Sequence, residues 1–367
     1  MAATNFAALQ PEAKIAWARD VWKFARDNMF LSKFMGTDQN SVIQRITELT
    51  KTERGERAII SLVADMVQDG VIGDNAREGF EEALQSYYVE VPIDLLSHGT
   101  KNKGKLSDQK STINFREQAR DKIGYWLSNR CDQLAFLTAS GISYAFQNNG
   151  APRDAQSPFP NLEFAASVTA PSTNRGMMWN GTALVVSNTA SVTSAYLPSY
   201  SMIVELIAFA KEHYVKGMMR GGKEYYCIFM HPRSLAILKQ DDDYQRAVVT
   251  GIERSKDNPF FTGAAVTLDG AVIQEHRLVY NTKGAASGSK WGAGSAIDGS
   301  RTLLMGSQSL AVADLGTPEW DEKTFEYNSV QGINVDKILG IVKPQFYSIY
   351  DGSVEDFGIV TCDHYIP

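Results

Sequence analysis

One stretch constrains the fold more than any other: residues 107–140 carry a helical pattern too long for an ordinary compact domain. Ala119, Ile123, Trp126, Leu127, Arg130, Leu134 and Leu137 recur at helical spacing. Arg116, Glu117, Arg120, Asp121 and Lys122 leave part of the first half polar, and Gly141 supplies a stop. The pattern predicts a helix of about thirty residues, where globular helices usually run roughly 8–20. A subunit built on it is expected to be elongated, with the helix as a strut. The chain has 367 residues and is 44% hydrophobic, enough to bury a sizeable core in about two domains.

Residues 11–30 read as another helix, opened by Pro11. Ile15, Ala18, Trp22, Ala25 and Met29 form one apolar stripe; Trp17, Val21 and Phe24 form a second beside it. So wide an apolar arc at a chain end calls for a partner. Trp17, Val21, Trp22 and Phe24 are therefore expected to bury against an adjacent subunit; packing on their own domain is the plainer reading.

Residues 56–100 read as two strands flanking an exposed loop. AIISLVADMV leads out and SYYVEVPIDLL leads back, with QDGVIGDNAREGFEEA between them. The returning strand alternates, with Val89, Val91, Ile93 and Leu95 on one face and Tyr88, Glu90 and Asp94 on the other. Loops this long are uncommon unless they have a job. The tip sets Asp69, Asp74, Glu78, Glu81 and Glu82 against Arg77 alone. It is expected to dock on a basic surface of a neighbouring subunit, with Arg116, Arg120 and Lys122 as receivers.

Residues 146–195, rich in Asn, Pro, Ser, Thr, Ala and Gly, read as loops and short strands. A helix is expected over 198–216, then strand EYYCIFM, a turn at His231-Pro232, helix RSLAILKQ, and a further helix after Asp241-Asp242-Asp243. AVTLDGAVIQEHRLV reads as a hairpin turning at Asp269-Gly270. Residues 283–300 read as a surface loop, and the stretch from Arg301 as strand-rich.

Charge and motifs exclude more than they assign. The net charge is −6 and the pI about 5.5, with no long basic run, so tight binding to nucleic-acid phosphates is not expected. The three cysteines are widely spaced and make no disulfide framework, which suits synthesis in a reducing cytosol. The opening MAATNFAALQ has no secretory pattern, and no apolar run approaches a membrane span. No Gly-x-Ser-x-Gly elbow, His-Glu-x-x-His helix or phosphate-binding Gly-rich loop occurs. Cys362-x-His364 offers two metal ligands, too few for a closed zinc site. That pair reads as a half-buried cysteine and an exposed histidine on one strand. His231 reads as shaping a turn, and Asp241–Asp243 as a helix N-terminus rather than a calcium site. No catalytic, cofactor-binding or metal-binding residue is assigned.

At this point the order of parts resembles a known family. The segment TINFREQARDKIGYWLSNRCDQLAFLTASG looks like the long helix of N4-like phage major capsid proteins. YYCIFMHPRSLAILKQDDDYQ and NPFFTGAAVTLDGAVIQEHRLV look like that family's central region, and DFGIVTCD like its closing strand. The similarity spans roughly residues 15–365. It implies an α+β chain of the HK97-like fold. An N-terminal arm would cover 1–55, an extended E-loop 56–100, and a peripheral P-domain with the spine helix 101–197. An α/β axial A-domain would cover 198–309, with peripheral strands again over 310–367. The implied function is a structural one in the virion: self-assembly as hexamers and pentamers into an icosahedral shell enclosing double-stranded DNA. Portal, scaffolding and cement proteins are the implied partners. The competing readings are another phage part, such as a tail or connector protein, and an enzyme with a site around His231 and the Asp241 run.

Overall fold

The structure is a computed structural model that describes residues 11–47, 57–63, 66, 69–73, 78, 81–82, 85–110, 114–251, 266–268, 270–327 and 329–367. Its strut is α3 (Phe115–Ser140), 26 residues long. This helix starts later than periodicity suggests, because α2 (Lys105–Lys110) is a separate short turn of helix. Asn114 then caps α3, its side chain accepting the Arg116 N–H at 3.2 Å. Gly141 ends α3 at φ +66°, its N–H turned back to the Leu137 and Thr138 carbonyls. A β-carbon there would lie 2.5 Å from the Thr169 carbonyl oxygen, so both conformation and space require glycine.

Two sheets flank the strut. The six-stranded sheet runs β1 (Met35–Gly36), β2 (Ile43–Ile46), β13 (Leu310–Asp314), β15 (Val330–Val342), β14 (Glu319–Phe325), with β5 (Asp94–Lys101) also paired to the long β15. The eight-stranded sheet runs β10 (Val266–Leu268), β11 (Ala271–Glu275), β9 (Lys223–Met230), β12 (Gly299–Met305), β18 (Ile359–Tyr365), β6 (Gly176–Trp179), β7 (Leu184–Val186), with β8 (Met218–Arg220) on β9. Strand β9 shows why EYYCIFM is apolar almost throughout. Tyr226, Ile228 and Met230 pack with Met202, Ile203 and Leu206 of α4 (Tyr200–Glu212) and with Leu235 of α5 (Pro232–Leu238). Cys227 and Phe229 point the other way, into the core shared with Leu134 and Phe136 of α3. A strand covered on both faces has no polar face to offer.

This sheet draws on segments the sequence assigns apart. Strand β18 pairs antiparallel with β12 along its whole length, and β6 pairs parallel with β18. The boundaries at 198 and 309 therefore cut one sheet. Strand pairing over such separations leaves no local trace in the sequence. The hairpin β10–β11 turns as expected through Gly270, at φ +85°, and α6 (Asp242–Gly251) follows the acidic run.

The helix α1 (Pro11–Asn28) lies along α3. Gly124 makes the approach close: a β-carbon there would sit 2.9 Å from Phe24 Cδ1. The chain leaving α1 is tied to α3 by Asp132, whose carboxylate accepts the N–H groups of Phe30 and Leu31 at 2.9 and 3.2 Å. Burial raises this carboxyl from 3.8 to about 6, against the pull of those two bonds. The folded chain therefore keeps a proton that the unfolded chain has released between about pH 4 and pH 6. Below that window both forms are protonated and no penalty exists. Above it both are ionised and the penalty is on the order of 3 kcal/mol. This group's contribution is thus best in acid and worsens as pH rises. Asp132→Asn is expected to flatten that segment of the stability curve in denaturant melts; an unchanged slope refutes it.

Candidate assembly surfaces

The most exposed apolar feature is a two-stranded ribbon. Strand β3 (Arg57–Val63) pairs antiparallel with β4 (Ser86–Pro92), from Arg57 opposite Pro92 to Val63 opposite Ser86. Its inner face buries Ala58, Ile60 and Val91 against Ala311, Ala313, Val342 and Phe346. Its outer face leaves Ile59, Val63 and Tyr88 at 55, 59 and 69% exposure, beside the ion pair of Arg57 with Glu90. Beyond the strands, Met66 and Ile72 are exposed too. Single exposed apolar residues are ordinary, but a row on one ribbon face marks an interaction surface. The signal is in the sequence: AIISLV is apolar at both alternate sets of positions, so one set has to face outward.

The returning strand corrects an expectation. Val89, Val91, Ile93 and Leu95 do not share one face. The chain breaks after Pro92, β5 restarts at Asp94, and Leu95 turns outward at 51% exposure while Leu96 is buried. Proline cannot continue the ladder, so the alternation slips by one.

Of the acidic loop residues, Asp69, Glu78 and Glu81 are exposed and Glu82 is half-buried; Asp74 and Arg77 lie outside the described residues. Two of the three expected receivers are already engaged within the subunit. Arg116 Nη2 lies 2.8 Å from Glu322 Oε2, and Arg120 Nε 2.8 Å from Asp121 Oδ1. Lys122 is exposed. Sequence reasoning weighed the positive charge on α3 without the carboxylates that β14 brings beside it.

The N-terminal helix likewise departs from expectation. Val21 is fully buried and Trp22 is 7% exposed within the chain itself. Trp17 is half-buried, its ring 5.7 Å from that of Trp320 on β14 and under the Arg120 guanidinium. Phe24 is half-buried against Gly124. The wide arc has its partner in the same subunit, because α3 meets one stripe and β14 the other. A second aromatic patch went unnoticed in the sequence. Tyr214 stacks on Tyr350 at 3.6 Å, both exposed, beside Tyr347 of the hairpin β16 (Gln345–Ser348) and β17 (Ser353–Asp356). These rings and Val63 line a groove of about 420 Å³ between hairpin and ribbon.

The groups that resembled chemistry are structural. His231 caps α5, its Nδ1 accepting the Arg233 N–H at 3.2 Å. Asp241 accepts the N–H groups of Tyr200 and Asp243 at 2.6 and 3.3 Å, as a helix-start residue does. Cys362 and His364 are both fully buried, which corrects the half-exposed pair read from sequence. His364 donates from Nδ1 to the Tyr365 carbonyl, and its Nε2 accepts from Thr302 at 2.9 Å. Burial pushes its pKa down to about 4, so the ring is neutral. Among the described residues no group of three His, Cys, Asp or Glu side chains is placed to hold a metal. No helix there is long and apolar enough to cross a membrane.

Comparison with known proteins agrees with a surface-driven protein. The family profile described as phage capsid protein matches residues 5–367. The chain is 49% identical over 362 residues to the major capsid protein of Pseudomonas phage KPP25, covering 97% of this chain and 96% of that one. Its fold matches the capsid of Ralstonia phage GP4 with a TM-score of 0.76 at 25% identity, over 92% of this chain and 91% of that one. It matches the capsid asymmetric unit of cyanophage Pam1 with a TM-score of 0.71 at 18% identity, over 100% and 96%. With an HK97-like fold, self-associating surfaces and a relative this near over nearly its full length, the chain belongs to the phage capsid protein family, as a structural subunit of the virion shell and not an enzyme.

Proposed function

We propose that the chain assembles as hexamers and pentamers into a closed icosahedral shell around double-stranded DNA, with the β3–β4 ribbon as the reaching element. The observation that carries this is the ribbon's outer face, where Ile59, Val63 and Tyr88 stand exposed on a two-stranded element too thin to be stable by itself. A neighbouring subunit covers that face, gaining mainly from apolar burial. In this reading residues 1–55 are the N-terminal arm and 56–100 the E-loop. The spine helix α3 and the six-stranded sheet form the peripheral domain. Residues 198–309, joined by β6, β7 and β18, form the axial domain that meets its copies at capsomer centres. The acidic balance of −6 suits a wall that lets DNA pack and leave without gripping it. A portal protein, and scaffolding and cement proteins, are the expected partners, and the host cytoplasm the expected place of synthesis. Negative-stain microscopy of the purified chain tests the reading. Closed shells or hexameric capsomers support it; tubes, rings or small discrete oligomers overturn it.

The shell is also expected to be held without covalent links between subunits. Joining a loop lysine to a neighbour's asparagine needs an amine that can lose its proton. No lysine occurs from Ala58 to Thr100, and a guanidinium does not serve. Mature particles boiled in detergent and reductant should run as one band near 40.5 kDa. A ladder of multimers would mean that Lys101, Lys103 or Lys105 reaches across instead.

A further inference from the structure

The spine carries a pair of cations that its own subunit leaves unanswered. Arg130 of α3 and Arg153, in the loop beyond, both sit against the ring of Phe159, at 5.9 and 4.7 Å from its centroid. Arg153 is fixed there by its backbone N–H, which donates to the Ala145 carbonyl at 2.8 Å, beside the Phe146–Pro152 bridge. Its Nε and Nη2 are shut off from solvent and have no hydrogen-bond acceptor. The guanidinium of Arg130 donates to the neutral amide of Gln133. Asp154, next along the chain, instead accepts the Gln156 N–H at 2.9 Å. Among the described residues neither arginine has a carboxylate within ion-pair distance. Burial depresses both, and the nearby Arg130 charge helps bring Arg153 down to about 10. The aromatic face of Phe159 offsets part of this cost, and buried donors without acceptors leave the rest.

We propose that Arg130 and Arg153 receive a carboxylate from the acidic 64–85 stretch of a second copy of this chain. The inference rests on the ribbon-docking reading above and names its receiver. The stretch carries six carboxylates against Arg77, and Asp69 and Glu78 are exposed. A guanidinium fork presents two parallel N–H groups that match one carboxylate. The receivers first expected, Arg116 and Arg120, already have acidic partners, whereas this pair has none. DNA phosphate fits less well, since two arginines on a chain of net charge −6 make no basic face.

Disulfide trapping in assembled shells tests it. Full-length Arg153→Cys chains are mixed with Glu78→Cys or Asp69→Cys chains, assembled, and treated with diamide, which takes up the two hydrogens as the thiols join. Cys131, Cys227 and Cys362 are buried and do not compete. A dimer band is expected from shells and not from unassembled subunits. Arg153→Gln is expected to leave the melt of the unassembled subunit unchanged or raised, while increasing the concentration needed for shells by about tenfold or more. Well-formed shells with no cross-link at either position overturn the receiver and leave shell-building standing. So does a cross-link inside one doubly substituted chain, or an Arg153→Gln variant that loses only affinity for DNA. No shells from the unsubstituted chain would overturn both readings.

Discussion

Trp22→Ala is expected to lower the stability of the unassembled subunit by about 3–5 kcal/mol. The indole is 7% exposed and packs in the main core with Leu127 and Leu134 of α3 and Leu339 of β15. Lys337 Nζ stands 4.1 Å from the ring, in a pocket where it also pairs with Asp314. Removing the ring takes away both the apolar burial and the face that helps a buried ammonium tolerate its charge. The void would join an existing cavity of about 390 Å³ lined by Trp22, Met29, Cys131 and Leu339, so collapse cannot fill it cheaply. A tryptophan that served only a neighbouring subunit would move the lone subunit's stability by no more than about 0.5 kcal/mol. Urea melts of the unassembled chain decide between the two, and a loss under about 1 kcal/mol refutes the packing described here. By the same argument, deleting residues 1–35 should unfold the subunit, since Val21, Ala25, Met29 and Leu31 are buried with Trp22.

That helix shows where sequence reasoning stops. The apolar arc of Trp17, Val21, Trp22 and Phe24 was legible, because period 3.6 is a local property. What covers the arc was not. The covering surface comes from α3 and from Trp320, some three hundred residues away, and only the folded chain brings them together. The same holds for the eight-stranded sheet. Each strand could be read from alternation and β-branching, yet the partnership of β18 with β12 and β6 depends on register between distant segments. The spine helix was found and its start misplaced, because the cap at Asn114 outweighs the periodicity running on before it.

The assembly surfaces were legible in outline only. Charge counting located the acidic loop but chose receivers by proximity of like residues in the sequence. Glu322 reaches Arg116 from another strand, which no one-dimensional count can anticipate. Arg130 entered the helical pattern as a core-facing position, and Arg153 stood in a stretch read simply as loop. Their common contact with Phe159 is a property of the tertiary structure alone.

Arg301→Met is expected to cost about 3–5 kcal/mol, the range for breaking a buried ion pair from one side. Arg301 is buried on β12 and donates from Nε and Nη2 to the two oxygens of Asp363, at 2.7 and 2.8 Å. Its Nη1 donates to the Ser140 carbonyl at 2.7 Å, so it also satisfies the C-terminal end of α3. One guanidinium thus fastens the strut to the eight-stranded sheet at the point where Gly141 turns the chain away. Methionine fills much of the volume but supplies no donor. The fully buried Asp363 would keep only the Ser187 hydroxyl, at 2.5 Å, and the Ser140 carbonyl would lose its Arg301 donor. Substituting both members, Arg301→Met with Asp363→Leu, removes the stranded charge along with its partner. Because an apolar pair of similar volume can replace a buried ion pair at little cost, the double variant should regain more than half of the loss. Denaturant melts of the two single variants and the double variant close the cycle. Losses that simply add would show that the two side chains act independently, and that the link from α3 to the sheet does not run through this pair.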